Sequence, residues 1–264
     1  MDTSVIMTTY NKPRHLALAL EGYLYQTDLA FELVVADDGS GPETAEVVAA
    51  FRSRAPFPVI HARREHQGFR RAAVLNLGIR SSTTGYCVFT DGDCIPAKDF
   101  VEIHRTRRGR GCFLLGGYLR LAREYSESLT PELIAAGDFV RQMTRKRRIE
   151  LWRRHLGAFF AQAAGVKDRP RIAGANFSAW RCDLDAVNGY DENLAGWGRE
   201  DSDIRTRFRY FGLRGRSAWT RCLVYHIYHE VDPSKAGVRA NIDYYYRTRG
   251  RTRCDNGLVK EQPQ

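Results

Sequence analysis

Four short apolar runs, Ser4 to Thr9, Phe31 to Ala36, Pro58 to Ala62 and Tyr86 to Thr90, alternate through the first hundred residues with segments of helical periodicity. Leu16, Leu20 and Leu24 recur one helical turn apart behind Asn11 and Pro13, which read as a cap and a first-turn proline. Ala72, Leu75 and Ile79 mark another helix before the last of these runs. Strand, helix and strand repeated in this way predict a mostly parallel sheet covered by helices on both faces, the α/β class. In such sheets ligands sit at the carboxyl ends of the strands.

Those ends carry chemistry. The first run closes on Thr8-Thr9-Tyr10-Asn11, the second on Asp37-Asp38-Gly39-Ser40 and the fourth on Asp91-Gly92-Asp93. One polar strand end is ordinary turn chemistry, but three in one sheet point to a site. About a hundred residues after Asp93 comes Gly196-Trp197-Gly198-Arg199-Glu200-Asp201. Carboxylates after an apolar strand suit a divalent metal that neutralises a diphosphate, and a carboxylate pair between an aromatic and a helix suits a general base. Metal site plus base reads as sugar transfer.

A length of 264 residues with 43% hydrophobic content is enough for the core of one sizeable α/β domain, or of one domain with a smaller annex. The net charge of +10 favours a polyanionic partner: nucleic acid, anionic lipid or a phosphorylated glycan. The six cysteines form no C-x-x-C pair and read as reduced thiols. The N-terminal run lacks the basic flank and cleavage site of a signal peptide, and no stretch approaches the roughly 20 apolar residues that span a bilayer. The resulting expectation is a cytoplasmic protein, with peripheral contact to a membrane as a further option.

Between Thr130 and Ala164, Ile149, Trp152, Leu156, Phe159 or Phe160 and Ala163 keep helical spacing, interleaved with Arg145, Lys146, Arg147, Arg148, Arg153 and Arg154. Two readings stand side by side: a helix that packs its apolar stripe on the sheet, which is preferred, and a surface helix that meets anionic lipid or a lipid-linked acceptor. Ile172 to Cys182 and Ala218 to His226 return to strand composition. The tail beyond Val238 is arginine-rich and is expected to be loosely ordered.

Val5-Ile-Met-Thr-Thr-Tyr-Asn-Lys, Val34-Val-Ala-Asp-Asp-Gly-Ser and Thr90-Asp-Gly-Asp-Cys resemble the nucleotide-binding half of the inverting family 2 glycosyltransferases, with the Rossmann-like GT-A fold. Gly196-Trp-Gly-Arg-Glu-Asp and Val224-Tyr-His226 are similar to the acceptor half of the β-1,4-galactosyltransferases and of the bacterial chondroitin-polymerase type. This resemblance implies a division into a nucleotide-sugar-binding half (1–110), a connecting strand and basic helical segment (111–170), an acceptor-binding and catalytic half (171–238) and a polar basic tail (239–264). It implies that Thr8 and Tyr10 lie beside a uracil and that Asp38 accepts from the ring N–H, Asp37 holding the turn instead. Arg71 or Arg70 would meet the diphosphate at a helix start.

The same resemblance makes Asp93 a direct ligand of Mn²⁺ or Mg²⁺, with Asp91 at the ribose or a metal-bound water. His226 is the third ligand, or His229 in its place, and an imidazole tilts the preference to Mn²⁺. Asp201 is the base that deprotonates the acceptor hydroxyl, and Glu200 orients the acceptor sugar. Trp197 offers a stacking face beside Gly198, and Asn176, in Ala173-Gly-Ala-Asn-Phe-Ser-Ala-Trp180, flanks the donor sugar. Arg199 stands where the galactosyltransferases often carry a small residue. The implied activity moves a hexose or N-acetylhexosamine from a UDP-sugar, a dTDP-sugar remaining open, to a hydroxyl of a glycan or lipid-linked glycan such as lipopolysaccharide, O-antigen or capsule.

Two rivals fit less of the chain. A sugar-nucleotide nucleotidylyltransferase expects a glycine-rich, lysine-bearing loop in the first strand-helix turn, where Thr9-Tyr-Asn-Lys-Pro stands. A basic nucleic-acid-binding protein expects arginines alternating with exposed aromatics, of which Tyr244-Tyr-Tyr246-Arg247 is a short hint, so no nucleic-acid partner is expected.

Overall fold

The computed structural model describes residues 1–166, 171–230 and 239–260. Strands β1 (Thr3–Thr9), β2 (Glu32–Asp37), β3 (Val59–Arg63) and β4 (Tyr86–Asp91) fall on the expected runs, with helices α1 (Pro13–Glu21), α2 (Pro42–Arg52) and α3 (Arg71–Ser81) between them. They pair in parallel in the order β3, β2, β1, β4. The sheet separates two apolar layers. Val5, Met7, Leu33 and Val35 face Leu16 and Leu20 of α1 and Val48 and Phe51 of α2. Ile6, Val34 and Ala36 face Ala72, Leu75 and Ile79 of α3. Every residue of β2 is buried, as a central strand covered on both faces requires.

Past β4 the chain lays down β5 (Cys94–Pro96), α4 (Phe100–Arg107), β6 (Cys112–Leu115), β7 (Gly117–Arg120), α5 (Arg123–Ser128), α6 (Pro131–Ala135) and a 3₁₀ turn, Asp138–Gln142. Helix α7 (Arg145–Ala163) leads to β8 (Phe177–Trp180), α8 (Arg181–Ala186), α9 (Glu200–Tyr210), β9 (Arg214–Ser217), β10 (Leu223–His226) and α10 (Arg239–Thr248). The large sheet continues through β8, β6 and β9, with β8 antiparallel to both β4 and β6. A second sheet sets β10 between β5 and β7. Its register places His226 opposite Cys94, and the Ile227 N–H donates to Asp93 O at 2.8 Å. The small sheet thus carries the end of β10 onto the acidic end of β4.

Several expectations are corrected. Lys12, not Asn11, precedes α1, and Asn11 adopts φ +46° with its side chain accepting from Gly41 N–H at 2.8 Å. Its amide ties the β1 end to the β2 end rather than capping the helix. Of Ile172 to Cys182 only Phe177–Trp180 is strand, and of Ala218 to His226 only Leu223–His226. The region beyond Val238 is not loosely ordered in its described part: α10 buries Asn241 and Tyr245, and Asn188 Nδ2 donates to the carbonyls of Cys254 at 2.7 Å and Val259 at 2.9 Å.

The preferred reading of α7 also fails. Ile149, Trp152, Leu156, Phe159 and Phe160 are 45%, 52%, 42%, 61% and 65% exposed. The inner face is a different one, formed by Leu151 and Ala158, by His155 Nδ1 at 2.9 Å from Ser217 Oγ, and by Arg147 donating to Arg120 O at 2.8 Å. A helix with two apolar faces can bury only the one that meets the sheet edge, and periodicity does not say which. No described helix is long and apolar enough to cross a membrane.

Candidate active site

A cleft of about 830 Å³ opens over the carboxyl ends of β1 and β4. It gathers Thr8, Tyr10, Asp38, Arg71, Asp91 and Asp93 with Trp197, Gly198, Glu200, Asp201, His226 and His229. Side chains that are more than a hundred residues apart in sequence share one wall-to-wall space.

At one end, the two aspartates closing β2 divide their work. Asp37 accepts from Ser40 N–H at 2.8 Å and Ser40 Oγ at 2.5 Å and lies 3.0 Å from His61 Nε2, so it holds the turn. Burial opposes its ionisation, but His61 and the Ser40 donors outweigh that and draw its pKa below the usual value. Asp38 is raised instead by burial, against Arg64 at 3.2 Å and His66 at 3.3 Å. Tyr10 stacks on His66, ring centroids 4.2 Å apart and 9° from parallel, giving a flat aromatic pair beside Asp38. Gly39 turns this corner at φ +81°, where a Cβ would lie 2.5 Å from His66 N. His66 and Arg64 come from the loop after β3, which carried no signal in the sequence.

Asp93 forms the second cluster. Its carboxylate lies 3.0 Å from Lys12 Nζ, 3.2 Å from His229 Nε2 and 3.6 Å from His226 Nε2. Asp93, His226 and His229 present ligand atoms all within 4.8 Å of one another, so the two histidines come together where the sequence required only one. Burial works against the charge on Asp93, yet the His229 hydrogen bond and the nearby His226 and Lys12 hold the carboxyl far below its usual range. Burial lowers the pKa of His226, which favours the neutral imidazole a metal needs. One carboxylate with two imidazoles suits a divalent transition ion, and better Mn²⁺ than Mg²⁺.

Arg71, the first residue of α3, joins this cluster to the third. Its guanidinium reaches Asp91 Oδ1 at 2.6 Å, Asp201 Oδ1 at 3.3 Å and Glu200 Oε1 at 3.7 Å. Arg71 is therefore tied to three carboxylates, a commitment that its placement at a helix start did not foretell. Thr8 Oγ1 donates to the same Asp91 oxygen at 3.0 Å. Asp201 also accepts from Gly174 N–H at 2.9 Å. Glu200 and Asp201 open α9, whose N-terminal amides favour negative charge. Even so, burial and the adjacent Asp201 push Glu200 up to about 7, with Arg71 opposing. Burial likewise raises Asp201, Arg71 opposing and Asp91 adding to the shift.

A Cβ on Gly174 would stand 2.6 Å from both terminal nitrogens of Arg71 and 2.8 Å from Asp201 Oδ1. Gly174→Ala is therefore expected to push Arg71 off Asp201 and to lower kcat/KM by about 10²-fold, the scale of an ångström misplacement at a reacting centre. Thermal unfolding alongside kcat/KM checks this: the melting temperature should move little, because no core contact is lost.

The loop before α9 is built from left-handed residues, Gly196 at φ +82°, Gly198 at +101° and Arg199 at +78°. For arginine that conformation costs about 1–2 kcal/mol. Arg199 is held there over the rings of Tyr245 and Tyr246, at 5.5 and 5.8 Å, while Asn241 of α10 donates to Gly198 O at 3.1 Å. Trp197 projects half-exposed from the loop into the cleft. Asn176 does not reach the cleft. Fully buried, it donates to Gly117 O at 2.8 Å and Cys222 O at 3.1 Å, and its oxygen lies 3.0 Å from His104 Nε2. Its amide is needed to satisfy core carbonyls, so the expected contact with a donor sugar is withdrawn.

Comparison with known proteins places these clusters in context. The family model described as glycosyl transferase family 2 matches residues 4–107, and that described as the N-terminal domain of galactosyltransferase matches residues 154–230. Chondroitin synthase from Escherichia coli is 24% identical over 98% of this chain. Validoxylamine A glucosyltransferase from Streptomyces hygroscopicus is 24% identical over 92% of it. The chain spans 41% and 60% of those two relatives. Among solved structures, TarS 1–349 from S. aureus in complex with UDP-GlcNAc superposes with a TM-score of 0.62 at 14% identity, over 90% of this chain and 62% of that one. The mannosyltransferase PcManGT from Pyrobaculum calidifontis, in complex with GDP-Man and Mn²⁺, gives 0.59 at 18% identity, over 90% and 59%. These likenesses show a shared GT-A fold.

Proposed function

Since residues 4–107 match the glycosyl transferase family 2 model and residues 154–230 a galactosyltransferase model, we propose that the chain transfers a hexose or N-acetylhexosamine from a UDP-sugar to a glycan hydroxyl with inversion. One observation carries the reading: Arg71 ties Asp91, of the metal-side strand end, to Asp201, of the acceptor side, within a single cleft.

In this reading the Tyr10–His66 stack and Asp38 receive the base. Asp93, His226 and His229 hold the divalent cation, which supplies Lewis-acid stabilisation of the departing diphosphate. Trp197 stacks on the acceptor sugar and Glu200 hydrogen-bonds it. Asp201 takes the proton of the acceptor hydroxyl as that oxygen bonds to the anomeric carbon and the bond to the diphosphate breaks. Arg71 keeps Asp201 ionised and aimed. UDP is preferred because the structurally similar TarS forms a complex with UDP-GlcNAc and because the relatives include chondroitin synthases. An acceptor among bacterial surface glycans fits the surplus of cations.

The rival nucleic-acid reading loses its main hint, since Tyr244 OH donates to Asp191 at 2.9 Å and Tyr245 is buried. A panel of nucleotide sugars incubated with Mn²⁺ and no acceptor tests the proposal. A UDP-hexose or UDP-N-acetylhexosamine should be slowly hydrolysed and a chelator should stop it. Failure of every nucleotide sugar to bind or react would overturn the reading.

A further inference from the structure

We propose that the outer face of α7 is a docking surface for an anionic lipid bilayer. At about 100° per residue, Ile149, Trp152, Leu156, Phe159 and Phe160 fall within an arc of roughly 100°. That arc is the exposed one, turned away from the inner face of Leu151 and Ala158. Exposed cations border it, Lys146 and Arg153 on one side and Arg148 on the other. The acid within the helix, Glu150, is bonded to Arg154 at 2.6 Å and does not offset them.

This is the composition of a helix lying in a membrane interface: bulky apolar side chains entering about 5–10 Å, with cations at headgroup depth. At its C-terminal end the face runs into a cleft of about 620 Å³ in which Phe159, Ala163, Val166 and Leu213 stand beside Arg214 and Arg249, apolar space next to positive charge. Charge complementarity selects the occupant. A second copy laid face to face would bring the two cationic rims against each other, whereas anionic lipid neutralises both. The inference does not depend on which sugar is transferred, and a membrane-bound chain is placed where lipid-linked acceptors are.

Flotation of the full chain with vesicles tests it. Binding to vesicles of mixed phosphatidylglycerol and phosphatidylcholine is expected, with little to pure phosphatidylcholine and a decline as salt rises. Phe159→Glu combined with Phe160→Glu should weaken binding at least about tenfold, because both positions would be driven into the interface as charges. Arg148→Glu with Arg153→Glu should weaken it further, at about fivefold per cation removed. Neither pair touches the candidate active site, so circular dichroism and slow donor hydrolysis should be unchanged. Absence of binding to the mixed vesicles, or equal binding to neutral ones, would overturn the proposal. So would a dimer in solution that the Phe159 and Phe160 substitutions dissociate, since a second copy would then be the occupant.

Discussion

Asp201→Asn is expected to lower transfer by about 10²- to 10⁴-fold, the usual contribution of a positioned general base, with donor affinity nearly unchanged. The substitution keeps one of the two contacts of Asp201 and gives up the charged pairing with Arg71 at 3.3 Å. An amide oxygen can still accept from Gly174 N–H, and Arg71 keeps its shorter pairing to Asp91 at 2.6 Å. What also disappears is the capacity to take a proton. Glu200→Gln should behave differently, raising the acceptor KM more than it lowers kcat, because Glu200 is assigned to holding the acceptor sugar. Single-turnover transfer and donor binding, measured for both variants, separate the two carboxylates. Full activity in Asp201→Asn would move the base to Glu200.

The pH profile follows from the same contacts. Asp201 works ionised, and burial together with Asp91 raises its pKa despite Arg71. A raised carboxyl picks up its proton at higher pH than usual, so the acid limb of kcat/KM should lie above the ordinary aspartate range, with activity lost as pH falls through it. Glu200, pushed up to about 7 partly by the Asp201 charge, should titrate lower in Asp201→Asn, since that charge is gone. Carbon-13 titration of the glutamate carboxyls reads this directly.

What the sequence made legible was whatever depends on local pattern. The continuous apolar run through Val5, Ile6 and Met7, which is buried against both layers, and the polar residues that follow it pointed to the parallel half of the sheet and to the strand ends over which the cleft opens. Composition could not report choices made by tertiary packing. Asn176 stands in a segment that resembles the family strand flanking the donor sugar, but in this fold Gly116 and Gly117 leave room for its amide to reach core carbonyls: a Cβ on Gly116 would lie 2.1 Å from the Asn176 oxygen. The arginines beyond 238 read as solvated tail, yet Arg251 pairs with Asp191, and Tyr244 bonds the same carboxylate. Arg71 read as a phosphate contact because a helix start favours anions, and the anions it meets are the protein's own. Lys12 sits in a loop between strand and helix where no local pattern gives it a partner, and the fold sets it on Asp93.

Removing the Asp93 carboxylate is the second change of large expected effect. Asp93→Asn should weaken Mn²⁺ binding by more than the roughly 10- to 100-fold typical of partners one step further from a metal, and transfer should fall with it. His226→Ala and His229→Ala should each weaken the metal as well, since both imidazoles come within reach of that carboxylate. If only one of them matters, the other is a neighbour and not a ligand. Lys12 distinguishes a metal site from a mere ion-pair cluster. Its ammonium, 3.0 Å from Asp93, competes with any cation for the same oxygens. Lys12→Met should therefore tighten Mn²⁺ by about fivefold, the worth of a partly exposed ion pair near 1 kcal/mol, while weakening the donor if the released ammonium then meets the diphosphate. Isothermal titration with Mn²⁺ alone, then with UDP added, reads the two signs separately. Weaker Mn²⁺ binding in Lys12→Met would mean that Asp93 needs its lysine to keep its shape, and that the three groups around it serve the fold.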